Sequence, residues 1–487
     1  MSLPTYRHPL AERWARAGGP WGPESLDDVL VTPPEREAQV AAVAGGLAAA
    51  GVGAGSTVCW QRPNGPEADA LFRACWRLGA VAAPLHHLAG PADVAAMVDR
   101  LAPTVLVGPG DPVPTGSPRR RAAGAVDPAS VAVALGTSGS TGRPKVALHT
   151  HRALLHKARV MTGVHELGPG DRILLPAPLA HISGLLNGIL LTLSGLEVSF
   201  MARWDPAEAL ATIARERVTF MIGPPTFFVS LVDAPGFRTE AVRSMRLVSC
   251  GGAGVTPAFV EATAAALDCR VKRTYGSTEA PTVTTSGAAD PPERAATTDG
   301  RAVGLAELRV VDPTGIDPTG IDSTGIDRPP GEVGELWVRG PELFAGYDDP
   351  AATAEAFADG GWFRTGDLAS LDAEGWLTVA GRLKDVIIRG GENISAAAVE
   401  RVLEAHPDVR QAVAVGYPDP RLTERVCAVV VARRPFTLDD CRRWFAREGV
   451  TRFAWPERVE QLAELPLLSS GKPDRAALRR LVAPPDT

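Results

Sequence analysis

Between residues 35 and 107, alanine-rich stretches with helical spacing alternate with short β-branched runs at 57–59 and 104–107. That alternation predicts an α/β domain, with helices covering a sheet of buried strands. Gly- and Pro-rich connections at 108–118 and 288–292 predict surface loops. The pentads PTGID, PTGID and STGID follow one another within 312–327. Three units of five residues are too short for a solenoid, and they predict an exposed loop insertion. After residue 381 the pattern changes to apolar runs at 386–388, 411–415 and 426–431, separated by helical spacing over 396–405 and 438–448. This predicts a separate small α+β domain. The expected architecture is a large N-terminal domain of mixed α/β subdomains, residues 1–381, joined by a hinge to a small mobile α+β domain, residues 382–487.

Composition narrows the functions available. The chain has 487 residues, 45% hydrophobic and 22% charged, which suits a globular protein of more than one core. Its formal net charge of -6 gives no basic excess with which to neutralise a phosphate backbone, so nucleic-acid binding is not expected. The Arg119, Arg120, Arg121 run lies in a Pro/Gly-rich stretch and predicts a solvated loop. Six scattered cysteines without a CxxC pair show neither a zinc pattern nor a disulfide framework. The most apolar run, 182–193, is broken by Ser183, Gly184, Asn187 and Gly188, and falls short of the roughly 18 residues of a membrane span. A soluble, cytoplasmic protein is expected.

Lysine is scarce: Lys145, Lys157, Lys272, Lys384 and Lys472 are the only ones among 50 basic residues. Sites that need a compact point charge do not accept the planar arginine fork, so each lysine is a candidate for function. Lys157 and Lys272 match no motif and are expected to be chance survivors.

The most specific local signal is TSGSTGRPK at 137–145, directly after the apolar run 131–135. Glycines and hydroxyls at this density let a backbone wrap a phosphate chain and donate hydrogen bonds to it, while Lys145 adds charge. A Walker A loop is excluded, because Pro144 and Val146 flank the lysine where that motif needs Gly and Ser or Thr. In TYGSTE at 274–279, Tyr275 offers a flat face for adenine, Thr278 a hydroxyl for the α-phosphate, and Glu279 an oxygen ligand for Mg²⁺.

TSGSTGRPK resembles the phosphate loop of the adenylate-forming superfamily, which contains acyl-CoA synthetases, peptide-synthetase adenylation domains and luciferases. PLAHISG, SCGGA, TYGSTE, GWFRTGDL, GRLKDVIIRGGENIS and LPLLSSGKPDR follow in that family's order and extend the resemblance from about residue 61 to 478. The resemblance implies an ATP/AMP site made by Thr137, Ser138, Gly139, Ser140, Thr141, Gly142, Lys145, Gly251, Gly252, Ala253, Tyr275, Gly276, Asp367 and Arg382. Asp367 and Arg382 are the implied holders of the ribose hydroxyls. Lys472, Thr278, Glu279 and His181 are the implied catalytic residues, with Glu279 also the metal ligand. Lys472 would bridge the acid's carboxylate and the α-phosphate. Lys384 is implied as the hinge, and Arg389, Gly390 and Gly391 as the passage for CoA.

His181 resembles the residue that gates the acyl pocket of CoA ligases, with a structural histidine the competing reading. No aspartate stands within 177–186 to pair an α-ammonium. The implied pocket residues Ile182, Ser183, Leu186, Phe227, Phe228, Pro281 and Thr282 are largely apolar, so an aryl, alicyclic or medium-chain acid is expected. The expected activity is ATP-dependent formation of an acyl-adenylate and its transfer to CoA. A carrier-protein phosphopantetheine or another nucleophile is the alternative acceptor, and a degenerate nucleotide- or acyl-binding sensor the non-enzymatic alternative. Val146 and Ala396 depart from the family, which commonly has Gly and Pro at these places.

Overall fold

The structure, a computed structural model, describes residues 34–119, 126–137, 145–252, 254–313, 325–389, 392–468 and 473–483. The arginine run beyond Arg119 and most of the pentad repeat lie outside the described residues.

Strands β1 (Thr57–Gln61), β2 (Val81–Leu85), β3 (Val105–Val107), β4 (Val131–Thr137) and β5 (Lys145–Thr150) join β15 (Gly346–Tyr347) in a six-stranded sheet of order β15-β5-β4-β2-β1-β3. β1 and β2 are buried at every position, which explains why their sequences read as continuous apolar runs rather than alternating ones. A second sheet has seven strands: β6 (Arg172–Leu175), β7 (Glu197–Phe200), β8 (Phe220–Gly223), β9 (Leu247–Gly251), β10 (Arg270–Tyr275), β11 (Thr284–Thr285) and β12 (Arg301–Ala302). Its neighbouring pairs from β7 through β6, β8 and β9 to β10 are all parallel. One core runs between the two sheets, from Val58 and Phe72 to Leu175 and Phe220. The apolar run at 182–193 fills it as the helix Ile182–Gly188 and a following 3₁₀ turn.

A third sheet is built from β13 (Glu307–Val311), β14 (Gly334–Arg339), β16 (Phe357–Ala358), β17 (Trp362–Leu371) and β18 (Leu377–Arg382). The smaller C-terminal domain has its own sheet of β19 (Val386–Arg389), β20 (Glu392–Ser395), β21 (Val409–Asp419), β22 (Thr423–Ala432) and β23 (Arg458–Gln461). The helices Ala396–Glu404, Leu438–Arg447 and Arg475–Val482 bury Leu403, Phe445 and Leu478 against it. All six cysteines are free. Among the described residues no helix is long and apolar enough to cross a membrane.

The expectation for two lysines fails. Lys157 and Lys272 are fully buried rather than stray surface residues. Lys157 Nζ lies 3.2 Å from Glu342 Oε1 and donates to the Thr282 carbonyl at 3.0 Å. Lys272 Nζ donates to the carbonyls of Val164 (3.2 Å) and Ser286 (2.6 Å), and burial pushes it down to about 7. Both tie backbone segments together through the core, work suited to a thin flexible side chain with several donors.

Candidate active site

Parallel strands β6, β8, β9 and β10 all end on the same edge of the second sheet, and registers such as Gly223↔Cys250 and Gly251↔Thr274 keep the ends of β8, β9 and β10 level. Ligand sites form outside the carboxyl ends of such strands. The chain after β6 carries His181, which starts the helix Ile182–Gly188. Phe227 lies in the first turn of the helix Pro225–Val232 after β8, Gly251 ends β9 with Gly252 next, and Tyr275 ends β10 with Gly276, Thr278 and Glu279 following. Buried Asn64, just after β1, ties the first sheet to this edge. Its amide donates to the carbonyls of Ala177 (2.9 Å) and Met201 (3.1 Å), and its oxygen accepts from Leu179 N–H (2.8 Å).

In the first sheet β4 and β5 form a hairpin with Thr137 opposite Lys145, and Thr137 Oγ1 donates to the Lys145 carbonyl at 3.3 Å. The segment between them that was expected to form the phosphate loop, with Ser138, Gly139, Ser140, Thr141 and Gly142, lies outside the described residues. Lys145 Nζ sits 4.8 Å from the centroid of the Tyr347 ring, a cation–π contact. The Tyr347 hydroxyl donates to Glu279 Oε1 at 2.9 Å. Burial and the Glu279 carboxylate hold that phenol above its ordinary pKa, so it stays a donor. Beneath them, His149 Nε2 lies 2.7 Å from the Thr278 carbonyl. Burial pushes His149 down to about 4, so the ring is neutral and must carry its proton on Nε2 to make this bond.

Tyr275 OH donates to Asp367 Oδ2 at 2.6 Å, while Arg382 Nε reaches Asp367 Oδ1 at 2.9 Å. The β17–β18 register sets Asp367 directly opposite Arg382. Burial and Asp367 raise the Tyr275 phenol well above its usual range. The glycines are required by packing: a Cβ at Gly276 would lie 2.3 Å from Thr282 N, and one at Gly251 2.3 Å from the Thr274 carbonyl. Thr282 adopts a left-handed φ of 39°, uncommon outside glycine.

The implied acyl-pocket residues divide. Ile182 and Phe227 are half-buried and Ser183 is exposed; Phe227 stacks on Trp204 with centroids 4.6 Å apart. Leu186 and Phe228 are packed inside the cores, and Pro281 is buried beside Thr282. His181 lies 5.5 Å, ring to ring, from His86. In the small domain, Arg389 is held by Glu457 at 2.6 Å, so any phosphate would compete with that carboxylate. Lys384 lies exposed in the 3₁₀ turn Leu383–Asp385, immediately after β18. Ala253, Gly390, Gly391 and Lys472 lie outside the described residues.

Two family models match: the AMP-binding enzyme model over residues 27–348 and the AMP-binding enzyme C-terminal domain over residues 398–472. The chain belongs to the AMP-binding enzyme family. Among curated relatives, feruloyl-CoA synthase from Amycolatopsis sp is 34% identical, covering 92% of this chain and 93% of its own. Medium-chain fatty-acid–CoA ligase from Escherichia coli (strain K12) is 30% identical, covering 89% of this chain and 82% of its own. The ATP-bound MatB structure from Rhodopseudomonas palustris superposes with a TM-score of 0.81 at 27% identity, covering 92% of each chain.

Several residues around this AMP-binding enzyme's candidate site escape sequence reasoning. His149 and Tyr347 each hold a candidate site residue from another part of the chain, Tyr347 across 68 positions to Glu279, and Asn64 fixes the backbone of the segment that leads to His181. Asn64 stands in an Asn-Gly-Pro stretch that reads only as a turn, and His149 within a buried strand. Tyr347 follows Gly346, whose φ of 134° favours glycine; a Gly-Tyr pair in a short apolar stretch is the one signal available there.

Proposed function

We propose that this chain is an AMP-forming acid–thiol ligase: it joins a carboxylic acid to ATP as an acyl-adenylate and transfers the acyl group to CoA. The observation that carries this reading is that the segment Tyr275–Glu279, at the end of parallel strand β10, is met from the first sheet by Lys145 through Tyr347 and Glu279 and from the third sheet by Asp367 and Arg382. The names of its relatives, among them CoA ligases for ferulate and for medium-chain fatty acids, support the same chemistry.

In the first step a carboxylate oxygen attacks the α-phosphorus, the bond to the β-phosphate breaks, and pyrophosphate leaves. Two anions must meet, so charge neutralisation and positioning are most of the catalysis. Lys145 and Thr137 at the loop mouth serve the phosphates, the Thr278 hydroxyl meets the α-phosphate, and Asp367 with Arg382 takes the ribose diol. Lys472 bridges the two reacting anions. In the second step the CoA thiol, giving up its proton to solvent, attacks the acyl carbon, and the bond from that carbon to the phosphate oxygen breaks to release AMP. The domain boundary lies at 381–382, with Lys384 the pivot between the steps and Arg389, Gly390 and Gly391 beside the thiol's path. Cytoplasmic location accords with six unpaired cysteines.

Glu279 suits Mg²⁺. Its Oε1 accepts from Tyr347, and among the described residues its Oε2 has no partner. No cluster of three His, Cys, Asp or Glu side chains able to cage a metal occurs among the described residues. Mg²⁺ is held in this manner, by one or two carboxylates together with substrate phosphates. When bound it screens the phosphate charge.

The acid is apolar or aromatic. Half-buried Ile182, next to His181 in the chain, and the Phe227–Trp204 stack supply apolar surface, and no aspartate stands within 177–186 to pair an ammonium. The test is pyrophosphate release over a panel of aryl, alicyclic, medium-chain and amino acids, with and without CoA. Release with aryl or medium-chain acids that rises when CoA is added supports the reading. Release with amino acids alone, or thioester formed only on a carrier protein, contradicts it.

A further inference from the structure

Three contacts converge on Thr278 and Glu279 from outside the segment that follows β10. His149 holds the Thr278 carbonyl, the Phe344 amide donates to the Glu279 carbonyl at 2.9 Å, and the Tyr347 hydroxyl takes Glu279 Oε1. The first two fix the backbone, and only the third reaches the carboxylate. Tyr347 is itself fixed. Its residue pairs with Ala147 across β15–β5, its amide donates to Thr353 Oγ1 at 2.8 Å, and its ring stands edge-on to Phe344 with centroids 4.9 Å apart. Thr353 is close enough that a Cβ at Gly346 would lie 2.7 Å from its methyl carbon. The other face of the arrangement carries Lys145, over the same ring.

We infer that Tyr347 is a positioning residue: its hydroxyl clamps one oxygen of Glu279 so that the other is presented to the metal that accompanies the nucleotide, and its ring docks the phosphate-loop lysine alongside. The inference rests on Glu279 being the metal ligand. A glutamate side chain turns about three bonds, and holding one oxygen removes most of that freedom before the metal arrives. Partners that orient a ligating carboxylate are typically worth 10–100-fold in metal affinity. A tyrosine that merely filled the core would owe nothing to its hydroxyl.

Tyr347→Phe keeps the ring, and with it the packing and the Lys145 contact, and removes only the clamp. The measurement is Mn²⁺ binding to the full chain with a non-hydrolysable ATP analogue, read by electron paramagnetic resonance. Alongside it, acid-dependent ATP/pyrophosphate exchange is followed against free Mg²⁺. Tyr347→Phe should weaken Mn²⁺ about tenfold and move half-saturation by Mg²⁺ upward by a similar factor, with the acid's KM unchanged. Thr353→Val, which frees the Tyr347 amide, should shift both in the same direction and serves if the phenylalanine variant does not fold. Glu279→Gln separates the two ideas. If it weakens Mn²⁺ and neither other variant does, the role of Tyr347 is overturned; if it leaves Mn²⁺ binding intact, the metal-ligand reading of Glu279 itself fails.

Discussion

Replacing Lys157 by methionine should destabilise the large domain severely. The lysine and Glu342 are both fully buried, 3.2 Å apart, and His156 Nε2 stands 3.8 Å from the other carboxylate oxygen. Burial lowers the pKa of both Lys157 and His156, and Glu342 opposes that fall in each. Methionine fills much of the space but strands the carboxylate, and breaking a buried pair from one side costs about 3–5 kcal/mol. The Thr282 carbonyl also loses its donor, which adds about 1 kcal/mol. The double variant Lys157→Met/Glu342→Gln removes the stranded charge and should recover more than half of the loss. The assay is urea unfolding of the large-domain transition for the two single variants and the double variant, completed as a cycle. A coupling energy of about 2 kcal/mol or more is expected. A single-variant loss below about 1 kcal/mol, or an additive cycle, would refute the claim that this ion pair holds the core. Because Lys157 also donates to the carbonyl of Thr282, a proposed acyl-pocket residue, the variant should raise the KM for the acid more than that for ATP.

Lys472→Ala should suppress acid-dependent ATP/pyrophosphate exchange by on the order of 10²-fold while sparing thioester formation from supplied acyl-adenylate; undiminished exchange would remove its role. Lys384→Pro should do the reverse, and equal loss of both steps would count against the hinge. Asp367→Asn should weaken ATP binding by roughly tenfold, since a charge-assisted acceptor becomes a neutral amide, whereas unchanged binding would exclude Asp367 from the ribose site. His149 should make the protein acid-sensitive. Its folded pKa of about 4 lies below the ordinary value near 6.5, so its contribution is full above pH 6.5 and is lost as pH falls through 4. Thermal melts of His149→Gln should be flatter across that window, and a slope identical to the parent's would refute the assignment.

Contiguous features of the chain were legible from sequence. The strands at 57–61 and 386–389 fall where short β-branched or apolar runs predict them, whereas the pairing of Thr137 with Lys145 across a hairpin is read only from the structure. TYGSTE places Tyr275 and Glu279 on one sheet edge because five consecutive residues at a strand end stay together in any fold. Contacts made across the chain were not legible. Asn64 and the Ala177 carbonyl are 113 residues apart, and nothing local to either announces the other. The scarcity of lysine is a sound reason to ask what each one does, but Lys157 and Lys272 answer with buried hydrogen bonds to carbonyls. Burial of a charge is decided by partners such as Glu342, which stands 185 positions away.

The most direct measurement is a single reaction of the full chain with MgATP, CoA and an aryl or medium-chain acid, its products resolved by liquid chromatography and mass spectrometry. AMP, pyrophosphate and acyl-CoA appearing in equal amounts, with acyl-AMP accumulating when CoA is omitted, is the predicted result. ADP and phosphate in place of AMP and pyrophosphate, or AMP formed without any thioester across the acid panel, would contradict it.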